Sequence, residues 1–119
     1  MPVTTITSAE QWETVTSKGL VVVDFFATWC KPCKEIAPFL EELSNNPDVT
    51  QHGFKFFKVN VDDFDFMPIT CMPTFVFFYN GKIQHTIEGK NQQAIVDAIN
   101  QYYVLPYLSE TKPAGGHTP

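Results

Sequence analysis

Hydrophobic and polar positions along this chain follow two periods, one of about two residues and one of about three and a half. Residues 3–6 form a short candidate strand, and Thr7-Ser8-Ala9-Glu10 has the form of a capping box, so a helix is expected to run to about residue 17. Trp12 and Val15 then fall on its inner face, and Gly19 is placed to end it. Residues 20–27 are apolar on both alternating faces except at Asp24, the pattern of a central, mainly parallel strand. Beyond Cys30, the apolar residues Ile36, Phe39, Leu40 and Leu43 recur at helical spacing, with Glu35, Glu41 and Glu42 outside. Pro38 removes one backbone hydrogen bond from that helix and should bend it, and Asn45-Asn46-Pro47 ends it. Residues 54–61 make the next strand, followed by an acidic turn at Asp62-Asp63. Residues 74–79 and 82–87 flank Asn80-Gly81, a strong signal for a two-residue hairpin turn. Asn91 can cap a last helix with Ala94, Ile95, Ala98, Ile99 and Tyr102 on one face. This order predicts a single α/β domain over residues 1–105, with a mixed five-stranded sheet and helices on both faces. Ser, Thr, Pro and Gly dominate residues 106–119, which are expected to form a disordered tail.

Where the central strand ends, the chain reads Trp29-Cys30-Lys31-Pro32-Cys33. A strand that turns into a helix near Cys30 puts one sulfur at the helix N-terminus and the other one turn further in. Their Cα atoms are then roughly 5 to 6 Å apart, inside the range a disulfide tolerates. The unpaired N–H groups at that terminus favour a thiolate on Cys30, and Pro32 fits because the first turn needs no N–H from it. The pattern points to a dithiol redox site. Two plainer readings use the same residues: inert core cysteines, or half of a zinc site completed by Cys71 and one of His52 or His85. Structural zinc sites usually bring two close-spaced ligand pairs and this chain has one, so no metal is expected.

Asp24 adds a second chemical feature. A carboxylate amid Val21, Val22, Val23, Phe25 and Phe26 is costly to bury ionised, so desolvation should raise its pKa and let it serve as a base. Near the sheet end under the helix, it is placed to take a proton from Cys33 through a water. The plainer alternative is a structural pair with Lys58 on the adjacent strand; in the proton-transfer reading, Lys58 tunes Asp24.

Composition narrows the partners. The 119 residues, 44% hydrophobic and rich in Phe with eleven, can bury one sizeable core. The net charge of −5, with eight Lys and no Arg, leaves no basic stripe for phosphates, so nucleic acid is not expected. Met1-Pro2-Val3-Thr4-Thr5-Ile6 lacks the basic and apolar regions of an export signal, and no apolar stretch approaches membrane-spanning length, so no membrane is expected either. Three cysteines, one left over, suit a reducing compartment, and the protein is expected to be cytosolic.

Val23-Asp24-Phe25-Phe26-Ala27-Thr28-Trp29-Cys30, Pro32-Cys33-Lys34, Pro38-Phe39, Val59-Asn60-Val61-Asp62 and Met72-Pro73-Thr74-Phe75, with Gly89 and Asn91 in place, together resemble the thioredoxins. The match runs through nearly the whole globular part. The resemblance implies a thioredoxin fold and a small protein-disulfide reductase with no cofactor of its own. It implies disulfide-containing target proteins and recharging by a flavin-containing thioredoxin reductase that draws on NADPH, with this chain acting as a monomer. Cys30, exposed at the helix start, would be the nucleophile, and Cys33 would resolve the mixed disulfide. Trp29, Lys31 and Pro32 would contribute to the docking surface. Pro73 corresponds to the family's cis-proline, which sets the backbone of Met72 beside the thiols to pair with an extended substrate segment. Gly89 would let substrate approach the same groove closely. Cys71 falls near the site's rim, where many animal thioredoxins also carry a cysteine. A regulatory role there, through an intermolecular disulfide that would link a dimer or through modification of the thiol, stands beside a plain packing role. His52, His85 and His117 read as surface residues.

Two departures from the family pattern stand out. Lys31 occupies a position that is usually Gly; its cation should favour the Cys30 thiolate and present a charge to partners. Between Asp62 and Pro73 the chain is shorter than usual by roughly one helical turn, and the link from Cys33 to the strand at 54 is longer by a similar amount. A normal third helix is therefore not expected, and Asp62-Asp63-Phe64-Asp65-Phe66 reads as a loose turn. Beside the reductase reading stand a more oxidising disulfide exchanger or isomerase, favoured by Lys31, and a non-redox adaptor, against which the intact cysteine pair and Asp24 argue.

Overall fold

The computed structural model describes residues 3–102. The chain runs through β1 (Thr4–Thr5), α1 (Ala9–Thr16), β2 (Leu20–Phe26), α2 (Lys31–Asn45), α3 (Pro47–Thr50), β3 (Lys55–Asn60), β4 (Thr74–Tyr79), β5 (Lys82–Glu88) and α4 (Gln92–Tyr102). The strands form one sheet in the order β1-β3-β2-β4-β5. β1 and β2 both pair with β3 in parallel, and β4 joins β2 antiparallel, so the sheet is mixed as expected.

β2 has the nearly continuous apolar run of a strand covered on both faces. Leu20 and Val22 share a core with Ile36 and Leu40 of α2 and with Ile95, Ala98 and Ile99 of α4. Val21, Val23 and Phe25 belong instead to a cluster with Ile6, Val59, Val76 and Phe78, against which Trp12 and Val15 of α1 pack. Asp24 has the parity of Leu20 and Val22, which directs it toward the α2 face. Phe39 and Leu43, expected on the buried face of α2, are half-buried and pack against the same core.

Several local expectations shift. The cap of α1 is framed one residue later than Thr7-Ser8-Ala9-Glu10: Ser8 is the N-cap, and its hydroxyl accepts from the Gln11 N–H at 3.0 Å. Gln11 Oε1 in turn accepts from the Thr7 N–H at 2.7 Å. A neutral amide therefore does the work assigned to Glu10, which is free to face solvent. The extra length between Cys33 and β3 is taken up by α3, a single turn that Asn46 caps by accepting from the Asp48 N–H at 2.8 Å. Between β3 and β4 the described residues form turns and bends without a helix. α2 continues through Pro38.

At the β4–β5 turn, Asn80 and Gly81 have φ of 50° and 86°, the left-handed pair a tight hairpin of this twist requires. The Asn80 N–H donates to the Gly19 carbonyl at 3.0 Å, and the Gly19 N–H donates to Asn80 Oδ1 at 2.8 Å, which clasps the hairpin to the α1–β2 turn. Asn91 caps α4 by accepting from the Ala94 N–H at 3.0 Å. No helix among the described residues is long and apolar enough to cross a membrane. The domain boundary at 105, the tail at 106–119 and His117 lie outside the described residues, as does the side chain of Tyr102.

Candidate active site

β2 delivers the chain to the N-terminus of α2 through a short turn in which the Cys30 N–H donates to the Ala27 carbonyl at 3.2 Å. Cys30 is the N-cap, and its sulfur accepts the Cys33 N–H at 3.2 Å, one of the donors a first helical turn leaves unpaired. The same geometry would place a donor on a Cys30 thiolate. Pro32, within that turn, withholds no N–H the helix would have used. Cys30 and Cys33 are joined as a disulfide with Cα atoms 5.3 Å apart, inside the expected interval. The expectation that Cys30 is exposed is corrected. Cys30 and Cys33 are 5% and 4% exposed, because both cluster with Ala27 while Phe26, Val61 and Met72 pack against them. The exposed residues of the motif are the ones around them, Lys31, Pro32 and above all Trp29, at 67%.

Asp24 is buried, and its Oδ1 has no hydrogen-bond partner among the described residues. Desolvation pushes its pKa up from 3.8 to about 7, with the Lys58 charge acting in the opposite, lowering sense. Lys58 stands opposite Asp24 in the β2–β3 register, yet no ion pair between them is present among the described residues. The Lys58 ammonium lies over the Phe26 ring instead, 5.4 Å from its centroid. A static structural pair is thus not formed, while a field from Lys58 on Asp24 is. Asp24, Cys33 and Lys58 line one cavity of about 250 Å³ with Ala27, Thr28 and Lys34. That is room for several waters in a cavity that both Asp24 and Cys33 line.

Asp62, one of the two acidic residues expected only to make a turn, accepts a hydrogen bond from Trp29 Nε1 at 2.9 Å. Sequence reasoning gave it no functional part. The available signal was its place just beyond β3, the neighbour of β2, together with an indole N–H in need of an acceptor. The Met72–Pro73 peptide bond is cis, Pro73 is buried, and Met72 packs against the cysteine cluster. The Gly89 N–H donates to the Pro73 carbonyl at 2.8 Å, and Gly89 has φ of 93°, which brings the end of β5 to the same rim. Lys31 is exposed at the first position of α2. One turn on, Glu35 pairs with Lys90, whose hydrogen bond chiefly holds the Glu35 carboxyl below its usual range; Lys31 adds a smaller push in that direction. Cys71 is a free, half-buried thiol whose carbonyl accepts from Thr74 Oγ1 at 2.6 Å. His52 and His85 are exposed, and no group of residues suited to hold a metal occurs among the described residues.

The thioredoxin family model matches residues 2–101. The chain is 41% identical over 102 residues to thioredoxin 1 of Plasmodium falciparum, an alignment covering 82% of this chain and 94% of the relative. It is likewise 41% identical over 102 residues to a thioredoxin of Malassezia sympodialis, covering 82% and 95%. The solved structure of the Malassezia sympodialis thioredoxin superimposes with a TM-score of 0.78 at 39% identity, over 87% of this chain and 95% of that one.

Proposed function

The chain belongs to the thioredoxin family and is a thiol-disulfide oxidoreductase, and from that premise we propose that it reduces protein disulfides through Cys30 and Cys33. The observation that carries the reading is the disulfide across the first turn of α2, beside a cavity that Cys33 shares with the buried Asp24. In the reduced protein, the Cys30 thiolate attacks one sulfur of a target disulfide. It forms a mixed disulfide and expels the other target sulfur as thiolate. Asp24, with a pKa of about 7, accepts the Cys33 proton through water in the cavity. The Cys33 thiolate then attacks Cys30 Sγ, which releases the second target thiolate and closes the Cys30–Cys33 bond. Two electrons pass to the target, and a reductase partner returns them.

Finer assignments belong to the same proposal. Trp29, Lys31 and Pro32 form the docking face on one side, and Met72, Pro73 and Gly89 form it on the other. Lys58 tunes Asp24 from across the strand pair. The electron source is an NADPH-dependent thioredoxin reductase, the compartment is the cytosol, and the working unit is a monomer for which Cys71 is a candidate disulfide contact.

Turnover of a protein disulfide with NADPH and thioredoxin reductase is expected, with a dithiol potential near the thioredoxin value of about −270 mV. The exposed Lys31 favours the second reading, a more oxidising exchanger, and a potential near −180 mV would establish that one instead. Cys33→Ser is expected to accumulate mixed disulfides through Cys30, since attack survives and resolution does not. Partner binding that persists with both cysteines replaced, and no turnover in the wild type, would leave an adaptor.

A further inference from the structure

Trp29 is the most exposed large apolar side chain of the active site, and its indole is tethered to Asp62 by a hydrogen bond of 2.9 Å. Asp62 belongs to a segment that, between β3 and β4, has no helix to hold it among the described residues. Its near side is a compact turn. The Asp62 N–H donates to Asn60 Oδ1 at 2.9 Å, and the N–H groups of Asp63 and Phe64 donate to the Asn60 carbonyl at 3.0 and 3.1 Å. Asp62 and Phe64 therefore move together.

What anchors Phe64 is a column of rings. Phe64 stacks on Phe66 with centroids 5.0 Å apart and planes 8° from parallel, and Phe66 stacks on Trp12 at 4.8 Å and 7°. Trp12 in turn meets the edges or faces of Phe25 on β2 and Phe78 on β4, at 5.9 and 5.7 Å with steep interplanar angles. The column thus starts on the sheet and ends two residues from the carboxylate that holds Trp29. We propose that the Trp12–Phe66–Phe64 stack takes the place of a helix as the support that positions Trp29, and thereby sets how tightly protein disulfides dock. Phe66, at the middle of the column, is the positioning residue. The kinetic part of this inference rests on the reading of Trp29 as a docking residue.

The test is Phe66→Leu, which keeps an apolar side chain and removes the flat ring. Expected are faster solvent exchange of the Trp29 Nε1–H, followed by NMR, and a KM for a protein disulfide raised on the order of fivefold, the equilibrium weight of one aromatic contact. kcat, and the reduction of a small aromatic disulfide that needs no docking face, should hold. Phe66→Tyr should restore both readouts. A folded Phe66→Leu with native exchange at Trp29 overturns the proposal, and so does altered exchange without a KM change when Trp29→Ala itself raises KM. If Trp29→Ala leaves KM unchanged, the docking reading fails while the exchange measurement still judges the stack. Should Phe66→Leu not fold, Phe64→Leu at the outer end of the column carries the same test.

Discussion

Asp24 is a carboxyl kept from water on a strand that is otherwise apolar, and its pKa of about 7 in place of 3.8 ties stability to pH in a definite sense. Between those two values the folded protein holds a proton that the unfolded chain has released. Stability therefore falls as pH rises across that window and levels off above it. At about 1.4 kcal/mol per pKa unit, the full drop is on the order of 4 kcal/mol. Asp24→Asn has no such proton to lose. Urea denaturation should find it close to the wild type near pH 4 and more stable by up to that amount at pH 9. Its turnover near neutral pH should fall about tenfold or more, because the Cys33 proton has lost its acceptor. Denaturation curves that stay parallel at the two pH values would remove the desolvated, ionising Asp24.

Lys31 acts over a shorter range. Its ammonium is exposed on a flexible stem, and Glu35 already draws on part of its field. Lys31→Gly is expected to lower the dithiol potential by at most roughly 30 mV, the two-electron equivalent of one pKa unit in a thiolate, and the difference should shrink as salt is added. Equilibration against glutathione at low and high salt measures both. An unchanged or higher potential would leave Lys31 a role in partner recognition alone.

Among the elements, those with a strong local period were legible from the chain. β2 announces itself by an apolar run interrupted only at Asp24, α2 by its apolar stripe, and the hairpin by Asn80-Gly81, all of which the fold realises. The elements that shifted are those decided by one hydrogen bond. Ser8 and Thr7 are both acceptable caps, and the choice fell to whichever frame let Gln11 answer the Thr7 N–H. α3 is one turn long, too short to leave a periodic trace. The hairpin offers a test at this scale. Gly81→Ala must hold a Cβ at φ of 86°, where the steric cost of the left-handed region is about 1 to 2 kcal/mol, although the nearest atom, the Ser17 carbonyl oxygen, leaves ordinary room at 3.7 Å. A loss of that size in urea denaturation at neutral pH, with activity per folded molecule retained, is the expected result. No loss would mean that the turn relaxes into another type.

Across the whole molecule, the least legible features join residues far apart in sequence. The disulfide, spanning four positions, was readable from its spacing, and Asp24 was readable because a charge inside an apolar run is conspicuous. The bond from Trp29 to Asp62 crosses 33 positions, and the column of Trp12, Phe66 and Phe64 crosses from α1 to the segment after β3. Neither has a period to betray it. The burial of Cys30 was missed for the same reason, since Val61 and Met72 cover it from distant parts of the chain.

That division between near and far has a consequence for the protein's birth. The cysteine pair lies within one helical turn, whereas the rim bearing Pro73 and Gly89 exists only after β4 has been laid antiparallel against β2. On a ribosome, which releases the chain N-terminus first, both thiols emerge well before the strands that complete that rim. If that rim sorts partners as proposed, a nascent chain has both thiols outside the ribosome before the surface that would select among disulfides has formed.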